Sequence, residues 1–596
     1  MMVRVLASCL LGLLLMMALL ISASAQAARP LTLLNQAGEP VQRLTDGDLV
    51  RLALQMPQAV QEAMTVTFYL DEEANHIGDC QIPAGRQSCT TPPTGALGWY
   101  WDNAQQVKPE RTIYATVQRR LITFLTVTVQ PRPVVMVHGF GASYTTWDAY
   151  LGPSGYLARM GLQGYAVGDG QVTGTMHTGN LLKPRIKTNT IAQNAAILAE
   201  YIANVKAETG AEQVDLIGHS MGGLIARYYI DRIMEQRDVA QLIMLGTPNG
   251  GSDCAILAGS LNLYQPAALE LRSSYVRNVF NPQITERREV PFYIFAGTPI
   301  QRRLLSPCSA TPNDLVVSLA SAAAIPAELV EVPILHTELN TSESLFADYV
   351  APLLRKPGSE FTNRGEQISP ALSADEDLVQ FSRIYTGVVT SEEGNEHVIH
   401  IDNDVAVASF GLYDPSRSLT VTVRGASGNV IVLEPDTHGL TIIDDPASLL
   451  YLGYGFENPR PGPWRVTVRP TKRTPPLGTE YAIIAHYVGG AAIEARLSNQ
   501  LPGVGEQVEL TATLQLGEEA LPLDSAQVIL HRPDGWSELI QASANAFGIA
   551  ATFAPEEPGI YGVDVTLSSD LPDGAVVERT TFLAFEAFTA PPARRE

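Results

Sequence analysis

The chain of 596 residues carries 62 acidic against 40 basic side chains, a formal net charge of −22, with 45% hydrophobic and 17% charged residues. That length predicts about three or four domains, and the hydrophobic content excludes a wholly disordered chain. The negative field argues against nucleic acid and anionic membrane surfaces as partners, so contact with lipid has to be apolar.

The opening residues, MMVRVLASCLLGLLLMMALLISASAQAARP, combine Arg4, an apolar run over residues 5–21 and small residues that permit an A-x-A cut. Residues 1–27 read as a secretory signal, which implies a secreted or cell-envelope protein. The run approaches the ~18 residues of a membrane span, so an uncleaved anchor is the alternative. Cys9 would leave with the signal, and Cys80, Cys89, Cys254 and Cys308 remain as an even set in an exported chain. Pairing Cys80 with Cys89 and Cys254 with Cys308 keeps each bridge within one predicted domain, though four cysteines allow other connectivities.

Residues 28–132 alternate in short stretches such as LVRLALQM, MTVTFYL and LITFLTVTV, the period of a small β-sandwich. Residues 133–356 change texture. The apolar runs VVMV, VDLI, LIML, FYIFA and VEVPIL are interleaved with helical patterns, which predicts a mainly parallel sheet with helices on both faces. Between the first two runs, Ile191, Ala195, Leu198, Ile202 and Val205 share one face of a helix that Thr190 can cap. A polar linker over 357–376 leads to two further β-rich regions, 377–488 and 489–590, read as immunoglobulin-like sandwiches. Trp464 and Trp536 could stack on sugars, but a place in the sandwich core is the favoured reading for each.

The chemistry concentrates in VDLIGHSMGGLIARYY, residues 214–229. An acyl-attacking hydroxyl must be exposed, beside a base and near donors that hold an oxyanion. A sharp strand-to-helix turn exposes it, and the tight backbone explains the absence of side chains at Gly218 and Gly222, on either side of Ser220. A second apolar strand ends in His138-Gly139-Phe140-Gly141, where a glycine-flanked backbone can turn its N–H groups inward. His138 and His219 read as polar residues that shape these strand ends. His397, His400, Asp402 and Asp404 are of metal-ligand type, but strand alternation sends neighbours to opposite faces, so no metal site is expected.

HGFG followed by GHSMGG resembles the α/β-hydrolase family, and within it secreted bacterial lipases and esterases, over about residues 133–354. The resemblance implies an oxyanion hole made by the backbone N–H groups of Phe140 and Met221. It also implies the order serine, acid, histidine. His336 is the histidine between Ser220 and the linker, and Asp314, in TPNDLVVSLASA, is the expected acid. Asp253, in GTPNGGSDC, is the rival, because some lipases carry the acid one strand earlier. Residues 254–281 are helical in texture with an apolar stripe, and read equally as a lid over an acyl pocket or as packing helices.

The expected activity is hydrolysis of carboxylic esters with hydrophobic acyl groups through an acyl-enzyme, with no cofactor. Acyl transfer to an alcohol and lipid deacylation are alternatives that use the same residues. A surface binding or adhesion protein with a hydrolase scaffold is the alternative of another class, and the β-rich regions are open to cell-surface or polysaccharide contact.

Overall fold

The computed structural model describes residues 30–589, apart from 74, 181–182, 303–309, 356–378, 391–392, 434–439, 443–451, 546 and 573. The leader 1–27, the linker 357–376 and Cys308 therefore lie outside the described residues. The chain divides into two compact units, 1–131 and 132–596. No described helix is long and apolar enough to cross a membrane.

The first unit contains two five-stranded sheets. Alternation along Leu49–Gln55 and Met64–Leu70 sends Leu52, Leu54, Val66 and Phe68 into the core between them. The Cys80–Cys89 disulfide, with Cα atoms 5.7 Å apart, joins His76–Ile82 of one sheet to Ser88–Thr90 of the other.

The second unit begins with a six-stranded parallel sheet made of β1 (Val134–Val137), β2 (Gly164–Ala166), β3 (Val214–His219), β4 (Val239–Leu245), β5 (Phe292–Gly297) and β6 (Glu328–Val332), in the order β2-β1-β3-β4-β5-β6. Every residue of β1, β3, β4 and β5 is buried, because helices cover both faces. Helix α1 (Ile191–Thr209) starts on a capping box between Thr190 and Gln193 and ends at Gly210, whose φ of 74° permits a left-handed cap. Its buried face carries Ile191, Ala195, Leu198, Ile202 and Val205, as the periodicity predicts, together with Tyr201. At the amino ends of the strands, Arg132 Nε donates to Asp215 Oδ2 (2.9 Å) and Gln241 Nε2 to Asp215 Oδ1 (2.8 Å), all fully buried.

The two C-terminal regions differ from the separate modules the sequence suggests. They have separate apolar cores, one built around Ile399, Phe410, Trp464 and Tyr487, the other around Leu510, Val528, Val563 and Phe585. Yet they share one ten-stranded sheet, because the short strand Val379–Phe381 pairs with Thr479–Gly489 on one side and Val576–Ala587 on the other. Arg579 bolts the junction: its Nη2 donates to Asp402 Oδ1 (2.6 Å), its Nε to Ala491 O (2.7 Å), and its guanidinium covers the Tyr487 ring. Trp464 is a core residue, but Trp536 is 73% exposed, since it closes a turn in which its N–H donates to Asp534.

This shared sheet packs on residues 254–281. Ile560 and Ala584 enter the apolar core of the parallel-sheet domain, and Arg272, fully buried, pairs with Asp564 at 2.9 Å and donates to Leu583 O.

Candidate active site

Ser220 sits at the turn from β3 into α2 (Met221–Tyr228) with φ 54° and ψ −128°, a conformation unusual for any residue but glycine. The turn is tight enough to dictate its neighbours. A Cβ on Gly222 would fall 2.3 Å from Val137 O, and one on Gly218 would fall 2.7 Å from the Gly223 backbone. A Cβ on Gly139 would strike Ser220 Cβ at 2.7 Å, so the loop after β1 lies directly against the serine. Met221 opens α2, where the first N–H groups have no intrahelical acceptor.

The Gly139–Gly141 loop is pinned from the Gly- and Thr-rich stretch 165–180, which the sequence offers as a second rim of the site, through Thr178, a residue the sequence did not single out. The Thr178 hydroxyl donates to Gly139 O (2.7 Å) and Gly141 N–H donates to Thr178 O (3.0 Å), with His138 Nδ1 3.2 Å from Gly139 O. Thr178 is fully buried, and no periodicity around it signals that contact.

His336 follows β6 and is buried. Its Nδ1 is 2.8 Å from Asp314 Oδ2, and a carboxylate only accepts, so Nδ1 carries the proton and Nε2 of the neutral ring keeps its lone pair. Asp314, after β5, is held by the backbone. Its Oδ1 accepts from Val316 and Val317 N–H, and its carbonyl accepts from His336 N–H. Leu315 beside it has φ 80°, a second strained residue. Asp253 points elsewhere: its Oδ1 accepts from the Ser273 hydroxyl (2.7 Å), and burial pushes its carboxyl up despite that bond and nearby Arg277.

The histidine loop and the serine turn meet through His219. Its Nε2 donates to His336 O at 2.9 Å, and the two rings lie 4.9 Å apart. Burial, reinforced by His336, brings the His219 imidazole down to about 3, and burial brings His138 to about 4, so both are neutral at ordinary pH. Gly246, just past β4, completes the junction. A Cβ there would lie 3.0 Å from His336 Nδ1, while Ser220 N–H donates to Leu245 O beside it (2.9 Å). Ser220, Asp314 and His336 thus lie at the carboxyl ends of β3, β5 and β6, the rim where open parallel sheets bind ligands.

Residues 254–281 form short helices, including Ile256–Ser260 and Ala267–Glu270. Ala258, Leu263, Tyr264 and Ala268 make an apolar cluster against Phe140, and the Tyr264 ring meets Phe140 edge-on at 5.0 Å.

Comparison with known proteins bears on the fold of this region. A family model for palmitoyl protein thioesterase matches residues 133–285. Triacylglycerol lipases of Pseudarthrobacter phenanthrenivorans and Burkholderia plantarii are each 32% identical over 123 residues, 21% of this chain. The matched segment spans 35% and 31% of those relatives, about a third of their length. A Bacillus licheniformis lipase in its propeptide form shares the fold, with a TM-score of 0.50 and 14% identity over 76% of this chain and 96% of that one. The parallel-sheet region has an α/β-hydrolase fold and is related to lipases and esterases.

Proposed function

We propose that this chain is an exported hydrolase of carboxylic esters with hydrophobic acyl groups, working through an acyl-enzyme on Ser220. Ser220 Oγ attacks the ester carbonyl while His336 Nε2 takes its proton. The same proton then passes to the departing alkoxide, and water repeats the sequence to release the acid. Asp314 holds the imidazole in the required tautomer and stabilises its cation. The N–H groups of Phe140 and Met221 receive the oxyanion, and losing one such donor costs about 100-fold in turnover.

The observation that carries this reading is the 2.8 Å contact of His336 Nδ1 with Asp314 Oδ2, on a loop whose carbonyl is bonded to the residue preceding Ser220. The apolar cluster of Ala258, Leu263, Tyr264 and Ala268 beside Phe140, with a family model named for palmitoyl protein thioesterase and relatives named triacylglycerol lipase, supports a long acyl chain. The apolar leader supports export, and the flanking β-rich regions are read as immunoglobulin-like sandwiches.

The test is labelling with a fluorophosphonate and mapping of the modified peptide, alongside hydrolysis of esters of graded acyl length. An adduct on Ser220 and loss of turnover in Ser220→Ala are expected. Full activity in that variant would overturn the proposal.

A further inference from the structure

One sheet of the first unit carries an aromatic row that the hydrolase site does not use. Strand register sets Phe124 opposite Tyr114, Tyr114 opposite Tyr69, and Tyr69 opposite His76, across four neighbouring strands. Their strand neighbours Leu125, Ile113, Ala115, Phe68 and Leu70 are buried in the core, so the row lies on the outer face. Phe124 is 60% exposed, the His76 side chain 50%, and both tyrosines are partly exposed. The Tyr114 and Phe124 rings lie 6.3 Å apart, and those of Tyr69 and His76 5.9 Å. The adjacent row in register is Leu121, Thr116, Thr67 and Asp79, and Asp79 Oδ2 accepts from His76 Nε2 (3.1 Å).

We propose that this face binds the chain of a neutral polysaccharide. Three strand steps of about 4.8 Å make a row about 14 Å long, enough for a short run of sugar rings. The electron-rich faces of Phe124, Tyr114 and Tyr69 meet the polarised C–H faces of sugars. His76, Asp79 and Thr67 alongside supply donors and acceptors for the hydroxyl edges. Charge selects among ligands that stack on aromatic rings. Nucleic acids and anionic lipids need a basic surface, whereas the adjacent row carries Asp79 on a chain of net charge −22. An uncharged polyol meets no such penalty. Arg119 and Arg120, at the hairpin turn beyond Leu121, leave a zwitterionic lipid surface as the rival occupant.

The test uses the full chain, incubated with insoluble cellulose, chitin and xylan and, separately, with phosphatidylcholine vesicles. Depletion from solution by at least one polysaccharide is expected. Retention should weaken about tenfold in the double variant Tyr114→Ala with Phe124→Ala, with hydrolysis of a soluble short ester unchanged. Should that variant melt early, Phe124→Ala alone, at an outward side chain, carries the same expectation with a smaller drop. Ser220→Ala should be retained like the parent, so failure of the hydrolase reading leaves this one standing. No depletion by any polysaccharide, equal retention of the variants, or binding only to vesicles would overturn the proposal.

Discussion

Asp564 of the C-terminal sheet lies between two partners, Arg272 at 2.9 Å and His531 at 2.9 Å, and Arg272 belongs to the segment whose other face packs against Phe140. Burial alone would raise the Asp564 carboxyl, but Arg272 and His531 outweigh it and hold it well below the ordinary carboxylate range. The C-terminal sheet thereby contacts the segment that packs on the loop carrying one of the proposed oxyanion donors. Further contacts run the same way, from Ser274 to Phe582 O (2.9 Å), from Tyr275 to Glu586 (3.0 Å) and from Asn262 to Ser537 (2.7 Å).

Asp564→Asn should therefore destabilise the second unit and slow ester turnover together. Removing one partner of a buried pair leaves the other charge unpaired, at a cost of about 3–5 kcal/mol. Because the folded carboxyl is depressed, its contribution is complete above the ordinary aspartate value near 4 and fades as pH falls below it. Thermal melts of the variant at neutral pH check this, and an unchanged melting temperature would count against a coupled interface.

The two candidate acids separate by substitution. Asp314→Asn removes the acceptor that fixes His336 and should lower kcat by about 10⁴ while leaving the fold intact. Asp253 accepts from the Ser273 hydroxyl beside Arg277, so Asp253→Asn should leave kcat within a fewfold of the parent. The reverse ranking in steady-state kinetics would transfer the role to Asp253.

Gly139 tests the fit of the loop to the serine. Its missing Cβ would lie 2.7 Å from Ser220 Cβ and 3.1 Å from His219 O, with backbone on one side and the reactive residue on the other. Gly139→Ala must push one of them away, at about 1–3 kcal/mol of overpacking strain. Fluorophosphonate labelling should slow more than ester binding weakens, and a parental labelling rate would show that the loop gives way freely.

What the residues disclosed in advance follows from how local each constraint is. Gly218 answers to a clash within the serine turn and Gly222 to one with the neighbouring strand β1, so both glycines bracket the serine in one five-residue motif, and α1 announced itself through Thr190 and an even apolar period. His336 and Asp314 could be singled out because the chain order of one family restricts the candidates to a few residues. The shared ten-stranded sheet could not be foreseen, since Phe381 and Thr580 pair across almost 200 positions and nothing in either strand names the other. For the same reason residues 254–281 looked like a lid or a packing segment with equal justice: the surface that covers them is contributed by strands near the far end of the chain. Thr178 went unnoticed because a single hydroxyl in a loop has no period.

The last prediction concerns acid. His138 and His219 are buried and neutral, with folded values of about 4 and about 3 against an ordinary 6.5. In each case the native state resists a proton that the unfolded chain accepts, so below pH 6.5 the unfolded state binds more protons and stability falls as pH falls. Each histidine adds a slope of about 1.4 kcal/mol per pH unit between its folded value and 6.5, and above 6.5 the contribution is flat. Urea unfolding followed between pH 7.5 and 4.5, as a span of roughly half a dozen points, should show a midpoint that is level at first and then drops. His219→Gln keeps a donor for His336 O but cannot titrate, so it should shallow the acid limb while lowering the plateau. An acid limb as steep in His219→Gln as in the parent would mean that His219 takes up its proton in the native state without cost, contrary to its burial against His336.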